Sequence, residues 1–141
     1  MLSTLPAHTA PAALCWRRTF PGDAAQARTA RRFISCLLAD RPCLDDVVLT
    51  VDELVVNALR HTKSGQEDGA FTVEVRFVSG LVAVSVADQG GPSEPAARDA
   101  AVTDESGRGL RTISLTAESW GWHGNDRGRT VTAVFKAGDL A

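Results

Sequence analysis

The chain has 141 residues, 44% of them hydrophobic and 23% charged, which is the composition of one globular domain with a single core. Its formal net charge of −2 at pH 7 argues against direct binding to nucleic acid or to an anionic membrane, since such proteins carry a basic excess. No run of about 18 apolar residues occurs, so no membrane-spanning segment is predicted. The three cysteines lack metal-ligand or disulfide spacing, and we expect reduced, mostly buried thiols.

The first 13 residues are rich in Ala, Pro and Thr and contain no Lys or Arg, which is not the pattern of a signal peptide. We therefore predict a disordered tail over residues 1–13, one domain over residues 14–141, and a cytoplasmic protein.

The hydrophobic periodicity predicts helices and strands that together make one two-layer domain. In chain order these are a strand at 14–20, a helix at 24–38 capped by Asp23, a helix from Leu44 to about residue 62, strands at 71–78 and 81–87, a long loop at 89–109, a short helix at 110–117, and strands at 118–123 and 130–136. Helices on one face of a mixed, mainly antiparallel sheet give an α+β fold, a two-layer α/β sandwich.

The second helix is the most informative element. Its apolar stripe is predicted at Val47, Val51, Leu54, Val55 and Ala58. Its polar positions, which we expect on nearly the opposite face, are Thr50, Glu53, Asn57 and His61. Glu53 and Asn57 are i, i+4 neighbours, about 5–6 Å apart at their side-chain origins, and Asn is an unfavourable residue inside a helix. The pair is consistent either with a solvated polar face or with a site that binds a hydrated divalent cation.

Two glycine-containing segments follow that helix. Asp88 is predicted to end a strand just before Gly90, where a carboxylate could accept a hydrogen bond from a flat ligand with an exocyclic amine, although Asp-x-Gly-Gly also makes ordinary turns. Gly107 and Gly109 precede a predicted helix, and free N–H groups at a helix N-terminus can bind phosphate. The Gly-Lys-Ser/Thr of a Walker A loop is absent.

Taken together and in this order, these three segments resemble a known family. Glu53-x-x-x-Asn57, Asp88-x-Gly90 and Gly107-x-Gly109-Leu110 look like the N, G1 and G2 boxes of the GHKL superfamily, which includes gyrase, histidine kinases and MutL. Further matching segments are similar to one branch, the anti-sigma-factor serine/threonine kinases of Gram-positive bacteria. They are Asn57-Ala58-x-x-His61, Trp120-Gly121 and Gly128-Arg129-Thr130-Val131, and the resemblance covers about residues 14–136.

The resemblance implies ATP and Mg²⁺ as cofactors and a role for each matching residue. Glu53 would be the general base, and Asn57 would hold Mg²⁺ on the ATP phosphates. Asp88 and Gly90 would bind adenine, supported by Thr130 through a water. Gly107, Arg108, Gly109 and Leu110 would frame the triphosphate at the end of a lid. His61 and Thr62 match the branch as either structural or phosphate-adjacent residues.

The resemblance also implies the partners: an antagonist protein with a phosphorylatable Ser or Thr, a sigma factor, and a second copy of the chain in a homodimer. Two function classes remain open, a kinase of this kind and a nucleotide-gated binding module without phosphoryl transfer. Glu53 favours the kinase. Pro92, which stands where the G1 box has its second glycine, favours the module, as does the acidic segment after it, in which only Arg98 is basic.

Overall fold

The computed structural model describes residues 14–91, 111 and 113–138, and the structural statements below concern these residues. The strands are β1 (Leu14–Pro21), β2 (Ala70–Val78), β3 (Leu81–Asp88), β4 (Ser119–Asn125) and β5 (Gly128–Lys136). The helices are α1 (Gln26–Leu37) and α2 (Leu44–His61), followed by a 3₁₀ turn at Lys63–Gly65. Residues 113–116, inside the helix predicted at 110–117, are helical. The predicted tail at 1–13 lies outside the described residues.

The five strands form one sheet in the order β1-β2-β3-β5-β4, and each of its four described pairings is antiparallel. Strand residues alternate between buried and more exposed positions, and α1 and α2 pack on the buried side. The α+β two-layer sandwich is thereby confirmed, and the described sheet has the antiparallel pairings that were expected to dominate it.

The core lies between the sheet and the two helices. It is built mainly from β-branched and aromatic strand residues that face the apolar stripes of the helices. Fully buried members include Phe20, Ile34, Val51, Val55, Phe71, Val73, Val75, Val84 and Ala133. Neither described α-helix has a segment both long and apolar enough to cross a bilayer.

Local chemistry sets the ends of these elements. Ser79 and Gly80 both have positive φ, at 48° and 80°, which is the geometry of a two-residue hairpin turn that continues the twist of β2 and β3. The first helix begins at Gln26, two residues later than predicted, because Asp23 forms a turn instead of a helix cap. Its carboxylate accepts from the Ala25 N–H at 3.1 Å, and its carbonyl accepts from the Gln26 N–H.

The expectation of mostly buried thiols is wrong for two of the three cysteines. Cys43 is buried, whereas Cys15 and Cys36 are exposed, and all three are free. Cys15 lies on the edge strand β1, on the side of the sheet that the helices do not cover, so nothing in the described fold shields it.

Thr50 also departs from its predicted position. It is 1% exposed, although we expected it opposite the buried stripe of α2. At about 100° per residue, Thr50 lies only about a quarter turn from the centre of that stripe, as do Asn57 and His61. α1 covers the other flank of α2, where Arg31 pairs with Asp52 at 2.5 Å.

We expect Thr50→Val to raise the free energy of unfolding by about 1 kcal/mol. The Thr50 hydroxyl is buried without a hydrogen-bond partner among the described residues, and Val replaces it with a methyl group of similar size. Thr50→Ser is the matched control, since it keeps the hydroxyl and loses a methyl group, and it should lower stability by about 0.8 kcal/mol. Urea unfolding measures both variants. A less stable Thr50→Val protein would show that the hydroxyl is bonded in solution.

Candidate functional site

The first half of the site is the polar flank of α2. Glu53 and Asn57 lie one turn apart on it, and both are partly buried. The Asn57 Oδ1 atom is buried and has no hydrogen-bond partner among the described residues. A carbonyl oxygen in that state costs free energy unless a ligand, a water or a cation completes it. The side chain therefore has the property expected of a ligand-binding group.

Asp88 forms the second part, at the end of β3. Its Oδ1 atom accepts a hydrogen bond from the Gly90 N–H at 2.7 Å. Burial raises the pKa of Asp88 above its ordinary value, and the Gly90 N–H and the Arg129 charge and N–H partly oppose this. A half-buried carboxylate of this kind is typical of a binding site.

The two glycines after Asp88 are packed too closely for any side chain. Gly90 has φ +80°, and a Cβ atom there would lie 2.3 Å from the Asp126 carbonyl oxygen in the turn between β4 and β5. A Cβ atom on Gly91 would lie 2.4 Å from the His61 carbonyl oxygen at the end of α2. These contacts bring the end of β3, the end of α2 and the β4–β5 turn to one place.

The end of α2 is joined to the same segment by hydrogen bonds. The Ser64 side chain is fully buried, and its Oγ atom accepts from the Gln89 N–H at 2.9 Å. Thr62 donates to the Ala58 carbonyl oxygen at 2.6 Å and accepts from the Ser64 N–H. Thr62 thus has a structural role as a cap, whereas a phosphate-adjacent role of Thr62 and the role of His61 stay predictions.

Arg129 is a buried cation that lies directly across from Asp88, although the sequence analysis assigned it no role. The two residues are directly paired across β3 and β5. Arg129 is 5% exposed, and its guanidinium donates from Nη2 to the Gly91 carbonyl oxygen and lies over the Trp122 ring at 5.7 Å. Arg129 and Val131 are two residues apart on one strand, so their side chains share a face of the sheet. That spacing was the sequence signal that could have placed Arg129 on the buried face.

Comparison with known families identifies the domain. A protein-family model described as the histidine kinase-like ATPase domain matches residues 20–135, which is most of the chain. The chain belongs to the histidine kinase-like ATPase domain family. A search among curated proteins found no match.

A histidine kinase-like ATPase domain binds ATP, and the described residues fit that ligand. Asp88 offers a carboxylate acceptor at the end of β3, beside the backbone of Gly90 and Gly91, which carries no side chains. The buried Oδ1 atom of Asn57, which has no partner among the described residues, fits a cation held mainly by phosphates, and Asn57 is the residue that would hold Mg²⁺. In the described part of the chain, no cluster of three or more His, Cys, Asp or Glu side chains could form a metal cage.

The structure does not place the Thr130 side chain beside the Asp88 side chain. Thr130 pairs with Ala87, so its side chain lies on the opposite face of the sheet from Asp88, which pairs with Arg129. It lines a groove of about 330 Å³ on the outer face, together with Ala87 and Thr132. The expected water-mediated support of adenine by Thr130 therefore does not match this register.

The other predicted residues of the domain lie outside the described residues. They are Gly107, Arg108, Gly109 and Leu110 of the predicted triphosphate segment and Pro92 of the predicted lid. Their roles stay predictions.

Proposed function

We propose that this protein is a cytoplasmic ATP- and Mg²⁺-dependent regulator that transfers the ATP γ-phosphate to a Ser or Thr of an antagonist protein and sequesters a sigma factor. The observation that carries the proposal is the pair Glu53 and Asn57 on one flank of α2. Asn57 has an oxygen that lacks a partner among the described residues, and Glu53 supplies a carboxylate one turn away.

The proposed chemistry assigns one task to each side chain. Asp88 accepts a hydrogen bond from the 6-amino group of adenine and so fixes the base. Asn57 would hold Mg²⁺, and the ion would supply charge neutralisation on the ATP phosphates. Glu53 accepts the proton of the incoming Ser or Thr hydroxyl. The hydroxyl oxygen bonds to the γ-phosphorus, and the bond from that phosphorus to the bridging oxygen of ADP breaks.

The flank of α2 is suited to this arrangement by its geometry. Glu53 and Asn57 are four residues apart, so their side chains lie about 6 Å apart along the helix axis and point the same way. α1 packs on the other flank, where Arg31 binds Asp52, so this contact does not involve the Glu53 flank. A hydroxyl that approaches phosphates oriented by Asn57 would then have the Glu53 carboxylate one helical turn from Asn57.

We expect Asn57→Ala to lose the Mg²⁺ dependence of ATP binding while it keeps or slightly gains stability. The variant removes a buried oxygen that lacks a partner among the described residues, and Ala is the better helix former by about 0.5 kcal/mol. Titration with and without Mg²⁺, together with thermal unfolding, measures both effects. A large loss of stability would contradict the proposed role and assign Asn57 to the fold.

A nucleotide-gated binding module is the second candidate, and one contact favours it. Arg129 holds the Gly91 carbonyl oxygen, and Gly91 itself packs on the His61 backbone, so the first residues after the Asp88 turn are constrained rather than hinge-like. Pro92 adds a further restriction on φ. A restrained lid could report bound ATP to a partner without completing phosphoryl transfer.

The test of the proposal is phosphoryl transfer to the partner itself. Genes beside this one are the place to find a small domain with an exposed Ser or Thr. We expect wild-type protein with labelled ATP and Mg²⁺ to transfer the γ-phosphate to that domain. ATP-dependent binding of the partner without any transfer would support the module instead.

A further inference from the structure

Arg129 is a buried cation, and one of its donors is unused by the described residues. Only 5% of it is exposed, its Nη2 atom donates to the Gly91 carbonyl oxygen, and its guanidinium lies over the Trp122 ring. Its Nε atom is buried and has no hydrogen-bond partner among the described residues. A buried charged donor without an acceptor is costly, so its persistence points to an acceptor that the described residues do not supply.

The position of Arg129 points to the base-binding end of the site. It is the cross-strand partner of Asp88, and both side chains lie on the helix-facing side of the sheet. Arg129 donates to the Gly91 carbonyl oxygen, three residues after Asp88. Between them, the Gly90 backbone packs on the Asp126–Arg127 turn just before β5. Asp88 at the end of β3 is an acceptor, and Arg129 at the start of β5 has a donor that the described residues do not use. The two residues lie side by side.

We propose that Arg129 is a specificity-determining residue of the nucleotide site, whose Nε–H recognises N1 of adenine, directly or through one water, beside Asp88. This inference rests on the ATP-binding function proposed above. Adenine presents a donor at its 6-amino group next to an acceptor at N1, which complements an acceptor beside a donor. Hypoxanthine presents the reverse, an acceptor at O6 next to a donor at N1, and so opposes both side chains.

A purely structural role makes a different prediction. If Arg129 only held Gly91 and packed on Trp122, its removal would weaken the binding of every nucleotide by one common factor. If it reads N1, its removal weakens adenine more than bases that lack the N1 acceptor. The ratio of affinities for different bases therefore separates the two roles, whatever happens to stability.

The experiment uses calorimetric titration of wild-type protein with ADP, IDP and 1-deaza-ADP, which lacks the N1 acceptor. ADP avoids any dependence on phosphoryl transfer. We expect wild-type protein to bind 1-deaza-ADP roughly 10- to 100-fold more weakly than ADP, the range for a lost hydrogen bond to a charged group. Wild-type protein should discriminate against IDP more strongly still.

The same three nucleotides are then titrated into variants of the protein. In Arg129→Met we expect ADP to bind about as weakly as 1-deaza-ADP, and the preference for ADP over IDP to shrink by roughly tenfold or more. Arg129→Lys keeps the charge and tests whether the planar fork is needed, and we expect part of the preference to remain. Arg127→Met, an exposed arginine two residues away, is the matched control for loss of charge and should retain the wild-type ratios.

Each result has a defined meaning. Equal affinities of wild-type protein for ADP and 1-deaza-ADP would overturn this inference without the use of any variant. A common loss for all three nucleotides in Arg129→Met would overturn it in favour of the structural role. No ADP binding by wild-type protein would contradict the proposed function, and this inference with it.

Discussion

Glu53→Ala is expected to bind ATP at least as tightly as wild-type protein and to transfer phosphate about 10²–10⁴-fold more slowly, the range for loss of a general base. We expect no weakening because, in the proposed site, the removed carboxylate would lie near the phosphates, where like charges repel. The measurement is labelled γ-phosphate transfer to the partner domain, with ATP affinity determined separately. Glu53→Gln, which keeps the size of the side chain, should behave in the same way.

The control for Glu53 is the acidic residue next to it on α2. Asp52 pairs with Arg31 of α1 on the opposite flank, so Asp52→Asn removes the same charge from the same helix without touching the site. We expect a small loss of stability, as for a partly exposed ion pair, and wild-type transfer. Equal transfer rates for Glu53→Ala and wild-type protein would remove Glu53 from the chemistry.

Asp88→Asn should weaken adenine nucleotide binding by about 1–3 kcal/mol, or roughly 5- to 150-fold. The amide can still accept from the Gly90 N–H with its oxygen, but it then points a donor toward the adenine amino group. Titration with ADP measures the loss. Asp126→Asn, on the exposed β4–β5 turn, is the matched control and should bind as wild-type protein does.

The same variant should be as stable as wild-type protein or more stable at neutral pH. Because the pKa of Asp88 is raised in the folded protein, the folded state holds more protons than the unfolded state between the ordinary and the raised value. The contribution of Asp88 to the free energy of unfolding therefore falls as pH rises through that interval. Urea unfolding across acidic pH should show this fall in wild-type protein and not in Asp88→Asn. A less stable variant at neutral pH would contradict it.

The elements and the pairing of Glu53 with Asn57 could be predicted from the sequence because both follow from local periodicity. The apolar stripe of α2 recurs at helical spacing, and the strands that flank Ser79 and Gly80 alternate with a period of two. Asp88 was placed correctly at the end of β3 for the same reason.

The errors arose where burial depends on what packs from outside an element. Thr50 lies at the side of its stripe, and its burial depends on neighbours far away in sequence. Thr130 and Arg129 are adjacent in sequence, and only the β3–β5 register decides which of them shares a face with Asp88. The spacing of Arg129 from the apolar Val131 is a sequence signal that Arg129 faces inward, but its pairing with Asp88 is visible only in the register.

The most direct test of the central claim is calorimetric titration of wild-type protein with ATP, with and without Mg²⁺. We predict saturable binding that Mg²⁺ tightens, and no such tightening in Asn57→Ala, because the Asn57 oxygen would then be missing from the phosphate-bound cation. Absence of ATP binding at millimolar concentration under both conditions would contradict the account.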